Sequence, residues 1–375
     1  MSNVIMIGCD LHDNSMLLKI AVGRGKAWVR GFDNDADSRG QMIGYLKSQA
    51  ATHRASRIVF AYEASGQGFG LHDQLTEAGI ECHVLAPSEM AVTPGQRRRK
   101  TDERDAQKIL DVVRAHVLAG VELPAVWIPD PATRDDREVV RTRLDVVEKL
   151  TAVRTQMQSL LKRHHLKRPR GLGRGWTGAF VVWLERLSKA EGSPLGEGGR
   201  HALASLLRQF RFLDEELRRL DRAVARLASS ERYRAAVAEL TAIPGVGLMT
   251  AMVFLTELGN LSRFRNRRRL AAYLGLVPSC HESGTADDRK GHITRQGPAR
   301  VRKMLCQASW VRVRCDPRER DWYQALKARN PKKTKIAIVA AMRRLGILMW
   351  HRAREAMDSP SASEPSGEPA LASSG

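Results

Sequence analysis

The chain has 375 residues, with 62 Lys and Arg against 41 Asp and Glu, and this net charge of +21 points to a polyanionic partner, of which nucleic acid is the expected one. A hydrophobic content of 43% is enough for the cores of two or three domains, and no stretch approaches the roughly 20 apolar residues of a membrane span. Cys9, Cys82, Cys280, Cys306 and Cys315 stand singly, which excludes a disulfide framework and a C-x-x-C zinc site; the start, MSNVIMIGCDLH, lacks the basic and apolar regions of a leader, so a cytoplasmic, nucleoid-associated protein is expected.

Strand and helix signals alternate as far as Ala115. Val4 to Cys9, Met16 to Val22 and Lys26 to Phe32 read as a meander of three strands. A helix-compatible stretch from Ala36 to Ala50 follows, then a strand from Ile58 to Tyr62, a helix from Gly70 to Ala78, a strand from Glu81 to Leu85 and a helix from Glu103 to Ala115. The order βββαβαβα predicts an RNase H-like domain. In that architecture Asp10 ends the central first strand, Glu63 ends the fourth, and Asp102 and Asp105 share one face of a helix start. Four carboxylates so placed repel one another unless cations lie between them. Two Mg²⁺ ions about 4 Å apart would neutralise the group and clamp a scissile phosphate. Taken singly, each acid is an ordinary cap or dipole partner. Their grouping beside the basic run Arg97, Arg98, Arg99 and Lys100 points to chemistry on phosphate.

From Arg134 the alternation gives way to helical periodicity. Val139, Val146, Val153 and Leu160 recur every seven residues with Leu150 and Met157 between them, and a second seam runs Leu206, Phe210, Leu213, Leu217, Leu220, Val224, Leu227. Such seams form an antiparallel arm, a dimerisation coil, or an amphipathic pair packed on its own domain; three heptads do not separate these. Between the seams, KRPRGLGRG (167–175) breaks any helix and suits a flexible contact with phosphate.

Ile243-Pro244-Gly245-Val246-Gly247 before an apolar helix resembles the turn of a helix-hairpin-helix module, where Gly245 and Gly247 would let backbone N–H groups approach a phosphate; a tight turn joining two packed helices gives the same pattern. The basic cluster Arg263, Arg265, Arg267, Arg268 and Arg269 that follows favours nucleic acid. Further on, Arg289, Lys290, Arg295, Arg300, Arg302 and Lys303 surround a polar, glycine-rich stretch. It holds Ser283 between Glu282 and Gly284, with His281 and His292 as candidate bases or phosphate donors. By itself Ser283 reads as a turn or N-cap serine, since a neutral hydroxyl needs an activating base or metal.

Asp10, Glu63, the Asp102/Asp105 pair, the helical middle, the IPGVG turn and then His281-Glu282-Ser283-Gly284 together resemble the DEDD insertion-sequence transposases, the family numbered one hundred and ten, which are bridge-RNA-guided recombinases. The likeness extends to about Met357. It implies a RuvC-like catalytic domain at 1–130 whose carboxylates Asp10, Glu63, Asp102 and Asp105 bind Mg²⁺, with Mn²⁺ as an alternative ion. It further implies a helical, coiled-coil region at 131–235 and a mostly helical transposase domain at 236–357 carrying Ser283 as nucleophile. The implied partners are double-stranded donor and target DNA, a structured noncoding guide RNA, and further copies of the chain, as a dimer assembling to a tetramer. The Ser/Pro/Gly-rich tail, 358–375, is expected to be disordered. Two other classes fit parts of the pattern: a RuvC-type nuclease using the carboxylates alone, and a noncatalytic nucleic-acid binder whose carboxylates would lie scattered.

Overall fold

A computed structural model describes residues 3–90, 101–189, 193–280, 290–329, 331 and 334–358. Contacts divide the chain into two compact units, Met1–Ile128 and Pro129–Gly375.

The first unit is built on β1 (Asn3–Leu11), β2 (Ser15–Val22), β3 (Trp28–Asp33), β4 (Ala55–Glu63) and β5 (Glu81–Leu85), with α1 (Ala36–Thr52), α2 (Gly70–Glu77) and α3 (Asp102–Ala119). The sheet order is β3-β2-β1-β4-β5, antiparallel across β1–β2 and β2–β3 and parallel across β1–β4 and β4–β5. This mixed five-stranded sheet is consistent with the RNase H-like expectation. All eight elements expected in this region form, most of them longer than their apolar runs: polar residues such as Asn3 and Ser56 extend strands that the ladder already pairs.

Strand alternation gives the sheet two cores. Ile5, Ile7 and Cys9 of β1 and Ile58, Phe60 and Tyr62 of β4 pack with Met42 and Leu46 of α1 and Leu71 and Leu75 of α2. Met6, Val59 and Ala61 face the other way, against Ile109, Leu110 and Val113 of α3. Both faces are covered, as parallel strands require.

The second unit is mostly helical: α4 (Pro131–Arg163), α5 (Gly178–Lys189), α6 (Glu197–Ala228), α7 (Glu231–Thr241), α8 (Leu248–Leu258), α9 (Arg267–Tyr273), α10 (Ala299–Cys315), α11 (Pro317–Arg329) and α12 (Thr334–Asp358). A two-stranded ladder of β6 (Pro278–Cys280) and β7 (Lys290–Ile293), too short to carry a periodic signal, was not expected from the sequence. The two heptad seams meet inside one chain. Leu150, Val153, Met157 and Leu160 of α4 pack with Leu203, Leu207 and Phe210 of α6, and Val140 and Leu144 share a core with Val224 and Ala228, so the helices run antiparallel. α5, absent from the expected elements, adds Phe180 and Leu184 to that core. The 167–175 segment is non-helical as expected, and Arg168 folds it on itself, donating to the carbonyls of Gly173 at 2.7 Å and Gly175 at 2.9 Å while its guanidinium lies over Phe180. No helix among the described residues is long and apolar enough to cross a membrane. The 359–375 part of the tail lies outside the described residues.

Candidate active site

The expected carboxylates are placed by the sheet register and by the docking of α3. Cys9 of β1 pairs in parallel with Tyr62 of β4, so Asp10 and Glu63 are the next residues along two adjacent strands. Alternation sends both to the α3 side, following Met6 and Gly8 on β1 and Val59 and Ala61 on β4. Gly8 makes the approach of α3 possible: a β-carbon there would lie 2.2 Å from the Leu110 nitrogen and 2.3 Å from the Ala106 carbonyl oxygen. α3 therefore rests on bare strand backbone one residue pair before Asp10.

The Thr101 carbonyl accepts from the Arg104 and Asp105 amides at 2.9 and 3.0 Å, starting α3 so that Asp102, Glu103 and Asp105 occupy its first turn, where the helix dipole favours negative charge. Asp102 and Asp105 continue the stripe of Ala106, Ile109 and Val113 that faces the sheet. Lys19 Nζ holds Glu103 at 2.5 Å on the β2 side, and Lys108 Nζ stands 3.9 Å from Glu63 on the β4 side.

Asp10 is the half-buried acid of the group. Burial pushes its carboxyl above the usual aspartate range; the charges of Asp105 and Asp102 push the same way, and His12 pulls against them. His12 Nε2 lies 3.1 Å from Asp10 Oδ2 and 3.6 Å from Asp102 Oδ1. Asp10, His12 and Asp102 each offer a ligand atom within 4.8 Å of the others. His12 is thus a site residue whose part the sequence left open, although its Asp-x-His spacing at a strand end was visible. Asn34 fixes the turn that carries it, donating to the His12 carbonyl at 2.7 Å and to Gln67 Oε1 at 2.8 Å. A self-repelling set of hard oxygen donors around a half-buried aspartate fits a divalent cation.

The other expected site residues fall into four groups. Arg97, Arg98, Arg99, Lys100, His281, Ser283 and Arg289 lie outside the described residues. Arg267, Arg268, Arg269 and Arg295 are exposed; Asn266 caps α9 by accepting from the Arg268 and Arg269 amides, and β7 holds the Lys290 backbone and an exposed His292. Several basic residues also brace the second unit. Arg302 donates to the carbonyls of Leu274, Gln296 and Gly297, Arg300 pairs with Asp145, and Lys303 pairs with Glu148. The glycines of the IPGVG turn also differ in what they face. Gly245, at φ +88°, sits against α10, where a β-carbon would lie 2.7 Å from the Ala308 oxygen, whereas Gly247 opens α8 with nothing within 4 Å of its β-carbon position.

Two family models match the chain: a DEDD model of the IS110 type, described as Transposase, over residues 7–166, and one described as Transposase IS116/IS110/IS902 family over residues 237–324. The chain is 32% identical over 335 residues to the putative transposase y4qE of Sinorhizobium fredii, covering 83% of this chain and 79% of that protein. It is 30% identical over 297 residues to an insertion element IS110 protein of Streptomyces coelicolor, covering 68% and 70%. Against the probable family 20 transposase of Pseudomonas aeruginosa it is 28% identical over 295 residues, covering 77% and 82%.

Proposed function

The chain belongs to the IS116/IS110/IS902 transposase family, enzymes of DNA phosphoryl transfer, and on that premise we propose that it exchanges strands of insertion-sequence DNA by a Mg²⁺-dependent, RNA-guided reaction through a phosphoserine intermediate. What supports the proposal is the register that puts Asp10 and Glu63 at neighbouring strand ends, together with the first turn of α3, which brings Asp102 to the Asp10–His12 pair and carries Asp105 one turn on. In this reading residues 1–130 form a RuvC-like domain, 131–235 a helical coiled-coil region and 236–357 the serine-bearing domain, with the IPGVG turn acting as a helix-hairpin-helix element.

Asp10, Glu63, Asp102 and Asp105 hold the divalent cation, Mg²⁺ or in its place Mn²⁺, which when bound supplies Lewis-acid polarisation of a phosphoryl oxygen. His12 is placed to hold or release a proton at Nε2 beside Asp10 and Asp102. Ser283, in the link between β6 and β7 and inside the 237–324 match, is the nucleophile. Its Oγ forms a bond to the scissile phosphorus, the phosphorus–oxygen bond to one strand end breaks, and that end leaves as a hydroxyl. The reverse attack by the hydroxyl of another strand frees the serine and joins the DNA, so no external energy source is required. A structured noncoding RNA pairing with donor and target DNA suits the charge of +21, because folded RNA is bound largely through phosphate and shape. Assembly as a dimer and then a tetramer would let one protomer's carboxylates act with the serine of another.

A RuvC-type nuclease rests on the same gathering of carboxylates and gives Ser283 no part. The two separate on a substrate nicked so that religation fails. The recombinase leaves protein covalently attached to one DNA end after denaturation, the link maps to Ser283, and Ser283→Ala abolishes both the adduct and strand exchange. Undiminished cleavage to free ends by Ser283→Ala would instead leave the nuclease.

A further inference from the structure

We propose that Glu81, His83 and His116 form a second metal site, for a borderline divalent transition metal such as Zn²⁺, at the end of the sheet away from Asp10. One ligand atom from each lies within 4.8 Å of the other two, and all three side chains are half-buried. Glu81 and His83 are two apart on edge strand β5 and so share a face, while His116 comes from the last turn of α3. The site is distinct from the carboxylate group. Glu81 pairs with Val59, at the far end of the β4–β5 ladder from the Glu63–Leu85 pair, and His116 is roughly 16 Å along α3 from Asp105 by helix rise.

Hydrogen bonding prepares these side chains for a metal. His116 Nδ1 is 2.8 Å from the Val121 carbonyl oxygen, which only accepts, so Nδ1 carries the proton and Nε2 keeps its lone pair. That carbonyl is itself fixed where the chain leaves α3, by Gly120 at φ +69° and the Val121 amide donating to the Ala115 carbonyl. His83 Nε2 stands 3.0 Å from Glu81 Oε1, which only accepts, so a metal ion would take the place of the proton these two share, leaving His83 protonated at Nδ1; Arg57 steadies the other Glu81 oxygen at 3.3 Å. The His83 and His116 rings meet edge-on with centroids 5.9 Å apart. A tetrahedral Zn²⁺ with bonds near 2.1 Å sets its ligands roughly 3.4 Å apart. The Glu81–His83 spacing of 3.0 Å is close to this, and His116, whose ligand atom lies within 4.8 Å of both, would have to close in to complete the set. Two imidazoles and one carboxylate select Zn²⁺, Co²⁺ or Ni²⁺ over Mg²⁺, and partial exposure leaves a fourth position for water. The bound ion ties the sheet-edge strand to the end of the helix whose other end bears Asp102 and Asp105.

The test uses the full chain stripped with chelator and equilibrated with Zn²⁺ in excess Mg²⁺, with bound zinc measured by mass spectrometry. About one Zn²⁺ per chain is expected, retained in Asp102→Ala and weakened at least tenfold in His83→Ala and His116→Gln. Co²⁺ bound to the unaltered chain should show the visible bands of a nitrogen and oxygen ligand set, a readout that does not depend on whether a variant folds. No zinc uptake by the parent, equal uptake by His83→Ala, or an intense thiolate-to-cobalt band would overturn the assignment.

Discussion

The backbone of Leu110 lies where Gly8 would carry its β-carbon, at 2.2 Å, so the contact between β1 and α3 is one of backbone against backbone. The carboxylate site depends on this closeness, because Gly8 precedes Asp10 by one pleat and Ala106, which also meets Gly8, follows Asp105 directly.

Gly8→Ala is therefore expected to push α3 off the sheet. The neighbouring atoms are main chain and cannot rotate aside, so the cost is of the order of overpacking, about 1–3 kcal/mol or more. Thermal unfolding should register the loss of stability, and DNA strand exchange should fall much further than stability does, because Asp102 and Asp105 move with the helix. Gly66→Ala, with open space around its β-carbon position, is the matched control and should leave both nearly unchanged.

Asp10→Asn should inactivate the protein and stabilise its metal-free form. Burial, then the Asp105 and Asp102 charges, raise the Asp10 carboxyl in the folded state, with His12 opposing them. A carboxylate with a raised folded pKa disfavours folding once it is ionised, and that penalty disappears as pH falls below the unfolded value. Melting temperatures in chelator should be higher for the variant at neutral pH, and the gap should close toward acid. A variant that melts no higher than the parent at neutral pH would show that His12 outweighs the repulsion.

Much of this arrangement was legible in the sequence because it is written in local signals. Apolar alternation marked β1 and β4, and the turn after each placed Asp10 and Glu63 at one end of the sheet. The heptads of α4 and α6 were equally plain, but whether they pair within a chain depends on the intervening turn and on α5, which periodicity does not encode. Two features escaped because they join distant segments. His12 meets Asp102 only once the start of α3 packs beside the end of β1, and Glu81, His83 and His116 meet only after β5 and α3 pack. Basic residues carry a role the sequence did not show: Arg302, expected as a phosphate contact, also closes three carbonyls around the Gly275 and Gly297 turns.

The second unit should lose a defined increment of stability in acid through Glu257. Arg141 grips its carboxylate with two 2.8 Å hydrogen bonds, and Arg137 donates to the Thr256 and Glu257 carbonyls at 2.6 and 3.0 Å, clamping α4 to the end of α8. Burial by itself would raise the Glu257 carboxyl; the Arg141 hydrogen bonds and the Arg141 and Arg137 charges overcome this and hold it below its ordinary 4.5. A depressed folded pKa gives stability that is present above the unfolded value and lost as pH falls through the folded one. Glu257→Gln should therefore destabilise at neutral pH by about 1–3 kcal/mol, since Glu257 is buried but Arg141 is about a third exposed, and show a flatter decline than the parent below about pH 4.5. Parallel acid limbs in denaturant titrations of the two proteins would remove Glu257 from the acid response.

DNA affinity should fall steeply with salt, and the exposed and the internally bound arginines should contribute to that slope differently. Each phosphate neutralised on duplex DNA adds about −0.9 to the slope of log affinity against log salt. Arg267, Arg268 and Arg269 are exposed on α9, and the Asn266 cap engages only the Arg268 and Arg269 amides, so replacing all three with Gln should flatten the slope by about 0.9 for every contact removed while leaving the melting temperature almost unchanged. Arg302→Gln should do the reverse. It removes the hydrogen bonds to the carbonyls of Leu274, Gln296 and Gly297, of which water can replace those to the exposed Gln296 and Gly297, so stability should drop by about 1 kcal/mol with little change in slope. Affinity measured across a salt series for these two variants and the parent separates the roles. An unchanged slope in the triple variant would show that the α9 arginines are a solvated face, and the DNA path would then have to run over other basic residues.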